Sequence, residues 1–184
     1  VQFDSGKEKQ YVRRPPKQQF NSKYTTKTIK HGGLKLMLWG CFSWNGVGPL
    51  IKITAIMDAV FYVNNILDDV VLPYAEEDMP LRWVYQQDND PKHTSKRAKE
   101  WFRSKNVKLI DWPAQSPDLN PIEQLWMDVK KGIRDAKPQN LEELWRAAKN
   151  TWENIPLSRC RTLVDSMQSR CAEIIKNRGE ATSY

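Results

Sequence analysis

The chain has 184 residues, of which 40% are apolar and 28% charged, with a net charge of +7, a composition typical of one globular domain with its own core. Its longest wholly apolar run, at 36–42, is too short to cross a membrane, and its N-terminus lacks the apolar core of a signal peptide. Three widely spaced cysteines, Cys41, Cys160 and Cys171, argue against a zinc ribbon or a disulfide scaffold and favour a reducing, intracellular setting.

Basic residues are concentrated at the start of the chain. Residues 1–35 hold nine Lys or Arg and two acids, which accounts for the whole net charge. Pro15-Pro16 and the interleaved Phe20 and Tyr24 indicate a loop or ribbon rather than a helix. Two interpretations are open. The segment is either a solvated leader that binds nothing, or an arm that contacts nucleic-acid phosphates and stacks its aromatic rings on bases.

A hairpin and a helix are the first elements predicted after this arm. The apolar run 34–43 predicts a buried strand, Asn45-Gly46 and Gly48-Pro49 predict a turn, and the alternating pattern of 50–56 predicts the returning strand. Asp58 is the expected N-cap of a helix that ends at or before Pro73. The buried face of this helix is predicted to hold Val60, Val63, Leu67 and Val70.

Two further strands are predicted on either side of a short helix. The segment 81–88 predicts a third strand that ends on the carboxylate of Asp88. Asp90 is the expected N-cap of the helix, with a proline at its first position, and a short fourth strand is predicted at 107–111. The inward residues of the helix are predicted to be Ala98, Trp101 and Phe102.

Three amphipathic helices are predicted to close the chain, beginning at Asn120-Pro121, at Asn140 and near Ser158. The order of the elements indicates an α/β fold with a mixed sheet. The helix residues predicted to face inward are Ile122, Leu125, Trp126, Val129 and Ile133, then Leu141, Leu144, Trp145, Ala148 and Trp152, and finally Leu163, Val164, Met167, Cys171 and Ile174. The tryptophans predicted to be core residues are Trp39, Trp44, Trp83, Trp126 and Trp152.

Two carboxylates occupy positions where α/β folds bind ligands. Asp88 ends a predicted strand, and Glu123 lies in the first turn of the helix that follows the next strand. Oxygen ligands of this kind suit a hard cation such as Mg²⁺ or Mn²⁺, and two such ions can promote the cleavage of a phosphodiester. The sequence has no glycine-rich phosphate loop, so nucleoside triphosphate hydrolysis has no support and no nucleotide cofactor is expected.

Both carboxylates also have a purely structural interpretation. Asp88 and Asp90 precede a helix, and at least one of them is expected to cap it. Glu123 is the third residue after Asn120, which is the position of a capping-box glutamate. From the residues alone the capping and the metal-binding roles both stay open, and they are compatible. His93 has no second His or Cys at ligand spacing, so it is expected at the surface or beside the site rather than in a zinc site.

Two longer blocks of sequence carry a resemblance to a known family. Residues 86–94, QQDNDPKHT, and residues 112–126, WPAQSPDLNPIEQLW, are similar to the two signature blocks of the catalytic domain of Tc-one/mariner transposases. Shorter segments resemble the family at 11–15, YVRRP, at 30–33, KHGG, and at 37–42, MLWGCF. The resemblance therefore covers essentially the whole chain.

This resemblance implies a ribonuclease-H-like fold in which a D,D,E set of carboxylates binds divalent metal and cuts and rejoins DNA. Its second Asp corresponds to Asp88 and its Glu to Glu123, 35 positions further on, the spacing of the Tc-one branch. It also implies Mg²⁺ or Mn²⁺ as the cofactor, two ions in a complete site, a homodimer on double-stranded DNA of transposon ends and target, and a nuclear location. The basic arm matches the clamp loop of the family, which implies DNA contacts from Lys7, Lys9, Arg13, Arg14, Lys17, Lys23, Lys27 and Lys30.

One expected feature of the family is not found in the sequence. The first catalytic Asp should lie about fourteen residues before Tyr11, just upstream of Val1, and the neighbours of Asp4 do not match the block that should contain it. The DNA-reading domains that precede the catalytic domain in the family are also missing, so we expect an N-terminally truncated catalytic domain. The alternative is a catalytically inactive or domesticated remnant that acts as a DNA-binding or interaction module.

The chain is accordingly divided into three parts. Residues 1–33 are the basic, clamp-loop-like arm. Residues 34–136 are expected to form the ribonuclease-H-like catalytic core. Residues 137–184 are expected to add the C-terminal helices of the same domain.

Overall fold

The structure is a computed structural model, and it describes residues 1–4, 34–114 and 116–179. The basic segment at 5–33, with every lysine and arginine predicted to contact DNA, lies outside the described residues. The first sheet is antiparallel and has the strand order β1-β2-β3. Its strands are β1 at Gln2–Asp4, β2 at Lys35–Ser43 and β3 at Gly46–Ile53.

The β2–β3 hairpin confirms the first two predicted strands, although β3 has different bounds. Leu36 and Leu38 are buried while Lys35 and Met37 are exposed, as the alternation of a half-covered strand requires. β3 begins at Gly46, earlier than predicted, because a register shift opposite 40–42 accommodates Gly48-Pro49 within the strand. A bulge is one of the few places in a strand that tolerates a proline, which has no N–H for the ladder.

The helical segment that follows is longer than the predicted helix. It begins as predicted, with the Asp58 side chain accepting a hydrogen bond from the N–H of Phe61. The predicted end at Pro73 is wrong, because the helical conformation continues through this proline, from the π-helical segment directly into α2. A π-helical stretch, with its wider turn, also changes the inward face, so that Val60 is exposed and Tyr62 is buried. The bounds are Ala59–Phe61 for α1, Tyr62–Val71 for the π-helical segment and Leu72–Asp78 for α2.

A second sheet pairs β4 with β5 in parallel. Both strands are shorter than predicted, because the ladder between them spans only two residues of each strand. The helix between them buries Ala98, Trp101 and Phe102 as predicted. No ladder within the described residues joins this sheet to the first one, so the two kinds of pairing expected of a mixed sheet occur in separate sheets. The bounds are Val84–Tyr85 for β4, Lys96–Ser104 for α3 and Lys108–Leu109 for β5.

Three helices close the described part of the chain, as predicted. α4 begins after Pro121, α5 after its N-cap Asn140, and α6 after Pro156. Most of the residues predicted to face inward are buried or partly buried, but Leu141 and Cys171 are exposed. The bounds are Ile122–Ala136 for α4, Leu141–Glu153 for α5 and Leu157–Lys176 for α6.

Helices cover the first sheet on both faces. One cluster of core residues lies between the sheet and helices α4 to α6, and the other lies between the sheet, the π-helical segment and α3. This layered arrangement is typical of an α/β fold. Of the predicted core tryptophans, Trp126 and Trp152 are buried, and Trp39 and Trp83 are partly buried. The prediction for Trp44 is wrong, because it lies at the hairpin tip and is 44% exposed.

Two further observations concern the class of protein. All three cysteines are free thiols. Among the helices of the described ranges, none combines the length and the apolar character needed to span a bilayer.

Candidate functional site

Asp88 lies in the loop that follows β4, three residues beyond Tyr85. Its Oδ1 accepts a hydrogen bond from His93 Nδ1 at 2.5 Å and another from the N–H of Asp90 at 3.1 Å. The Asp88 side chain is nevertheless 56% exposed. The hydrogen bonds that described residues make to this carboxylate thus engage Oδ1 and leave Oδ2 for a ligand.

The residues after Asp88 form a turn, not the helix start predicted at Asp90. The Asp90 carbonyl accepts a hydrogen bond from the N–H of His93, and its carboxylate accepts one from the N–H of Lys92 and pairs with the Lys92 ammonium. The N-cap of α3 is Ser95 instead. The capping role predicted for Asp90 is therefore wrong, because its polar groups close a turn that places His93 against Asp88.

His93 is the partly buried neighbour of Asp88, with 13% of its side chain exposed. Its ring packs on the ring of Tyr62, with 4.3 Å between the centroids. The Tyr62 hydroxyl donates to Gln87 Oε1 at 2.6 Å, and Gln87 Nε2 donates to the His93 carbonyl at 3.1 Å. An ionised carboxylate only accepts hydrogen bonds, so His93 Nδ1 is the donor to Asp88. Among the described residues, His93 Nε2 has no hydrogen-bond partner.

The hydrogen bond from His93 holds the pKa of Asp88 below its ordinary value, with a contribution from the Asp90 N–H and against the effect of partial burial. A carboxyl whose pKa is lowered on folding stabilises the fold above its unfolded pKa, and this contribution is lost as the pH falls through the folded pKa. We expect His93→Phe, which keeps a ring against Tyr62 but donates no hydrogen bond, to raise the pKa of Asp88 toward its ordinary value. An NMR titration of the side-chain carboxyl measures this directly.

The matched control is Tyr62→Phe, which keeps the ring beside His93 and removes only the hydroxyl. The pKa of Asp88 is expected to stay lowered in this control. The same comparison predicts that, as the pH falls through the folded pKa of Asp88, His93→Phe loses less stability than the wild type. An unchanged pKa in His93→Phe would show that the turn, rather than the imidazole, sets the charge state of Asp88.

Glu123 lies in the first turn of α4, and its predicted capping-box role is wrong. The N-cap position is Pro121, and no side chain caps this helix. Asn120, the expected capping partner, uses its Oδ1 to accept a hydrogen bond from Gln86 Nε2 at 3.3 Å. The Glu123 N–H donates to the carbonyl oxygen of Asn120 instead, at 3.1 Å. The carboxylate of Glu123 therefore does not take part in capping α4.

Two hydrogen bonds tie the loop that carries Asp88 to the segment that leads to Glu123. Gln86 Nε2 donates to Asn120 Oδ1, as described above, and Asn89 Nδ2 donates to the Trp112 carbonyl at 2.7 Å. The donors come from the loop after β4, and the acceptors come from the chain between β5 and α4. The two sequence blocks singled out by their resemblance thus contact each other directly.

Asp88 and Glu123 line the same cavity, which has a volume of about 620 Å³. The amino end of β1 also reaches this cavity. The Val1 amino group donates to the Leu38 carbonyl at 2.7 Å, and burial lowers its pKa, while the charges of Glu123 and Asp88 oppose this change. Both carboxylates therefore lie close enough to the start of β1 for their charges to act on it.

The two carboxylates offer a divalent cation two oxygen ligands, and the cavity leaves room for water. Carboxylate and water oxygens are the ligands that Mg²⁺ and Mn²⁺ prefer, so the donors present fit such an ion. They do not complete a site by themselves, because the described ranges contain no group of three His, Cys, Asp or Glu able to hold a metal. The other acid in the described part of this end of the sheet, Asp4, is the last residue of β1. Its backbone is three residues from Val1, roughly 10 Å along the strand from the end of β1 that reaches the cavity.

The sequence did not predict the contacts that two residues make around this site. His93 lies beside the site, which is one of the two positions expected for it, but its hydrogen bond to Asp88 was not predicted. His93 follows Asp88 by five residues, with a proline between them, and this spacing is compatible with a turn that brings the imidazole back to the carboxylate. This spacing was the one feature of the sequence that could have indicated the contact. Arg170 is buried in α6. The helical pattern placed its neighbour Cys171 on the inward face, so it did not predict that Arg170 would be buried.

The sequence of this chain is similar to a family model and to known transposases. Residues 3–145 match a family model described as DDE superfamily endonuclease. The chain is 44% identical to the Transposable element Tcb2 transposase of Caenorhabditis briggsae and 42% identical to the Transposable element Tc1 transposase of Caenorhabditis elegans. Each match covers 174 residues, which are 95% of this chain and 63% of the relative. The chain thus spans less than two thirds of the length of these relatives.

The fold also matches a solved structure, the Mos1 mariner paired end complex with Mn. The TM-score is 0.81 and the identity 17%, and the match covers all of this chain and 55% of the other. This likeness confirms the expected ribonuclease-H-like α/β fold.

Proposed function

The chain belongs to the family of DDE superfamily endonucleases, and from this premise we propose that it is the catalytic domain of a Tc-one/mariner transposase that cuts and rejoins DNA. The observation that carries the proposal is that Asp88, in a strand-end loop, and Glu123, at a helix start, line one cavity. The reaction is attack by water on a phosphodiester at the transposon end, followed by attack of the freed 3′-hydroxyl on target DNA.

Asp88 and Glu123 are proposed to bind Mg²⁺ or Mn²⁺, with two ions in the complete site. The ions, when bound, supply activation of the attacking oxygen and stabilisation of the leaving oxygen. His93 and the Asp90 N–H hold Asp88 Oδ1, so that Oδ2 is the oxygen directed to the metal. The Mos1 structure that shares this fold contains Mn, which supports the choice of ion.

The third carboxylate is proposed to come from a strand that precedes Val1. Residues four apart in a strand lie on the same face, so an Asp four positions before Val1 would share the face of Phe3. Phe3 packs edge-on against Trp126 of α4, with 5.8 Å between the ring centroids. Glu123 lies on the same helix, less than one turn before Trp126. This placement favours the upstream position over Asp4.

The test of the function compares three proteins: the 184-residue chain, the same chain with an added N-terminal strand that carries this Asp, and the same extension with Asn instead. Nicking of supercoiled plasmid in Mn²⁺ is the readout. The Asp extension is expected to nick the plasmid, and the other two proteins are not. Robust nicking by the unextended chain, abolished by Asp88→Ala, would overturn the proposed strand and point to Asp4. Folded protein without activity in all three forms would favour the inactive DNA-binding module.

Double-stranded DNA is the proposed partner, bound by a homodimer that pairs two transposon ends, and the proposed location is the nucleus. The support for DNA is the basic arm, together with transposase relatives at more than 40% identity. The support for pairing is the Mos1 paired end complex, which has the same fold. The arm residues proposed to contact phosphates are Lys7, Lys9, Arg13, Arg14, Lys17, Lys23, Lys27 and Lys30.

Neutralising part of the arm is expected to weaken the salt dependence of DNA binding. Each phosphate contact contributes roughly −0.9 to the slope of log K against log salt, because binding releases condensed counterions. A variant with glutamine at five arm positions should therefore show a shallower slope in fluorescence titrations of a duplex. The five positions are Lys7, Lys9, Arg13, Arg14 and Lys17.

The control for this prediction changes the charge of the domain by the same amount at exposed positions outside the arm segment. Its slope is expected to stay close to that of the wild type. Equal slopes in the wild type and the arm variant would identify the arm as a solvated leader. The five control positions are Lys99, Lys108, Arg146, Lys149 and Lys176.

A further inference from the structure

Arg170 is a charged residue buried in the interior of α6, with 1% of its surface exposed. A buried guanidinium is costly unless it is hydrogen-bonded, so its partners show what it holds in place. It lies beyond the end of the family match at residue 145, and neither the resemblance nor the proposed chemistry gives it a role.

The guanidinium joins α6 to the segment before α4. Its Nη1 donates to the carbonyl oxygen of Asp118 at 2.5 Å, and its Nε donates to Ser166 Oγ at 2.9 Å. The Ser166 hydroxyl in turn donates to the Leu163 carbonyl, one turn back in the same helix, at 2.7 Å. Ser166 therefore orients the guanidinium within α6, and the charge-assisted bond reaches across to Asp118.

The carbonyl that Arg170 binds lies in the turn that starts the helix of Glu123. The Asn120 N–H closes this turn by donating to the Pro117 carbonyl at 3.0 Å. The Asn120 carbonyl then accepts the Glu123 N–H, and the Asn120 side chain accepts from Gln86. Arg170 and Glu123 also line a common cavity of about 280 Å³. The hydrogen bond to Asp118, together with the hydrogen-bonded turn at 117–120, thus connects the interior of α6 to the start of α4.

We propose that Arg170 is a positioning residue for the carboxylate site, which holds the turn at 117–120 so that Glu123 faces the cavity it shares with Asp88. The geometric part of this inference stands on the hydrogen bonds alone, whereas its consequence for metal binding rests on the proposed function. It follows that α6 helps to position the carboxylate site in addition to packing in the core.

The test uses the whole chain and three variants. Arg170→Met removes every donor and keeps an unbranched apolar side chain, and Arg170→Lys restores a donor. Leu163→Ala is the control, because it removes a buried side chain of the same helix and keeps the Leu163 carbonyl that accepts from Ser166. Hydrogen exchange of the Asn120 and Glu123 amides is measured under conditions in which all four proteins are folded. The affinity for Mn²⁺ is then measured from the electron paramagnetic resonance signal of the free ion.

Arg170→Met is expected to speed exchange at these two amides at least about tenfold and to weaken Mn²⁺ binding about tenfold, as for loss of a group that orients a metal ligand. Arg170→Lys should recover part of both effects, and Leu163→Ala should lower the melting temperature without either. Exchange in Arg170→Met no faster than in Leu163→Ala would overturn the proposal. If neither the wild type nor the chain extended with the Asp-bearing strand binds Mn²⁺, the proposed function fails, and the exchange comparison still decides the role of Arg170.

Discussion

Glu123→Gln is expected to abolish metal-dependent strand cleavage while leaving the fold almost unchanged, when both are measured in the chain extended with the Asp-bearing strand. The amide is neutral, so a hard cation loses a charged oxygen ligand. Because metal ions supply several kcal/mol of transition-state stabilisation, we expect the rate to fall at least about 10³-fold. The fold loses no cap, since no side chain caps α4, and only the favourable charge at the helix start is removed. That charge is worth about 0.3–1 kcal/mol.

The control for this prediction is Glu142→Gln, the same change in the first turn of α5. It matches the loss of charge at a helix N-terminus, so its effect on the free energy of unfolding should be similar. Its cleavage rate should equal that of the parent protein. Full cleavage by Glu123→Gln would remove Glu123 from the metal site and with it the assignment of this cavity as catalytic.

Trp152→Ala is expected to lower the free energy of unfolding by about 3–5 kcal/mol, a large share of the stability of a single domain. Trp152 is 1% exposed and stacks on Trp126, with 5.0 Å between the ring centroids. Its Nε1 also donates to the carbonyl oxygen of Gly48 at 2.8 Å, which connects α5 to β3. The substitution therefore leaves a cavity between α4, α5 and the sheet and also removes a hydrogen bond. Denaturant unfolding measures the change.

Two further variants separate the contributions of packing and hydrogen bonding. Trp152→Phe keeps an aromatic ring but cannot donate to Gly48, so its loss should be intermediate. Trp145→Ala removes a partly buried ring from the same helix, and its loss should be smaller than that of Trp152→Ala. A loss below about 1 kcal/mol in Trp152→Ala would contradict the packing of Trp152 on Trp126 and would indicate that α5 does not share the core of the sheet.

The elements that could be predicted from the sequence are those whose own residues dictate their geometry. The apolar run at 34–43 gives β2, and the apolar faces of α4 and α5 match their periodicity, because each of these elements packs one face on the same core. The N-caps Asp58 and Asn140 are local as well, since a short polar side chain bonds to the backbone of the next turn.

The errors arose where partners distant in sequence decide the geometry. The N-cap of α4 is one case, because Asn120 bonds to Gln86, a residue 34 positions away, rather than to its own helix. The length of β4 is another, because a strand extends only as far as its neighbour pairs with it. The loop after Asp88 is a third, since Asp90 closes a turn that His93 and Tyr62 complete by packing.

The candidate site was predictable in part for the same reason. Asp88 and Glu123 could be named from their places after a strand and at a helix start, and the resemblance singled out the same two residues. The positions of His93 and Arg170 depend on tertiary contacts, a ring stacked on Tyr62 and a carbonyl presented by Asp118. Neither contact produces a periodic pattern in the sequence from which it could be predicted.

The central claim, that Asp88 and Glu123 bind the same divalent ion, is tested most directly by a double-mutant cycle of Mn²⁺ affinity on this chain. The four proteins are the wild type, Asp88→Asn, Glu123→Gln and the double variant, each titrated with Mn²⁺ by calorimetry. Two ligands of one ion give non-additive losses, so each single variant should weaken binding, and the double variant should be weaker by less than the sum, with a coupling of roughly 1 kcal/mol or more. Strictly additive losses, or affinity that neither substitution changes, would contradict a shared metal site.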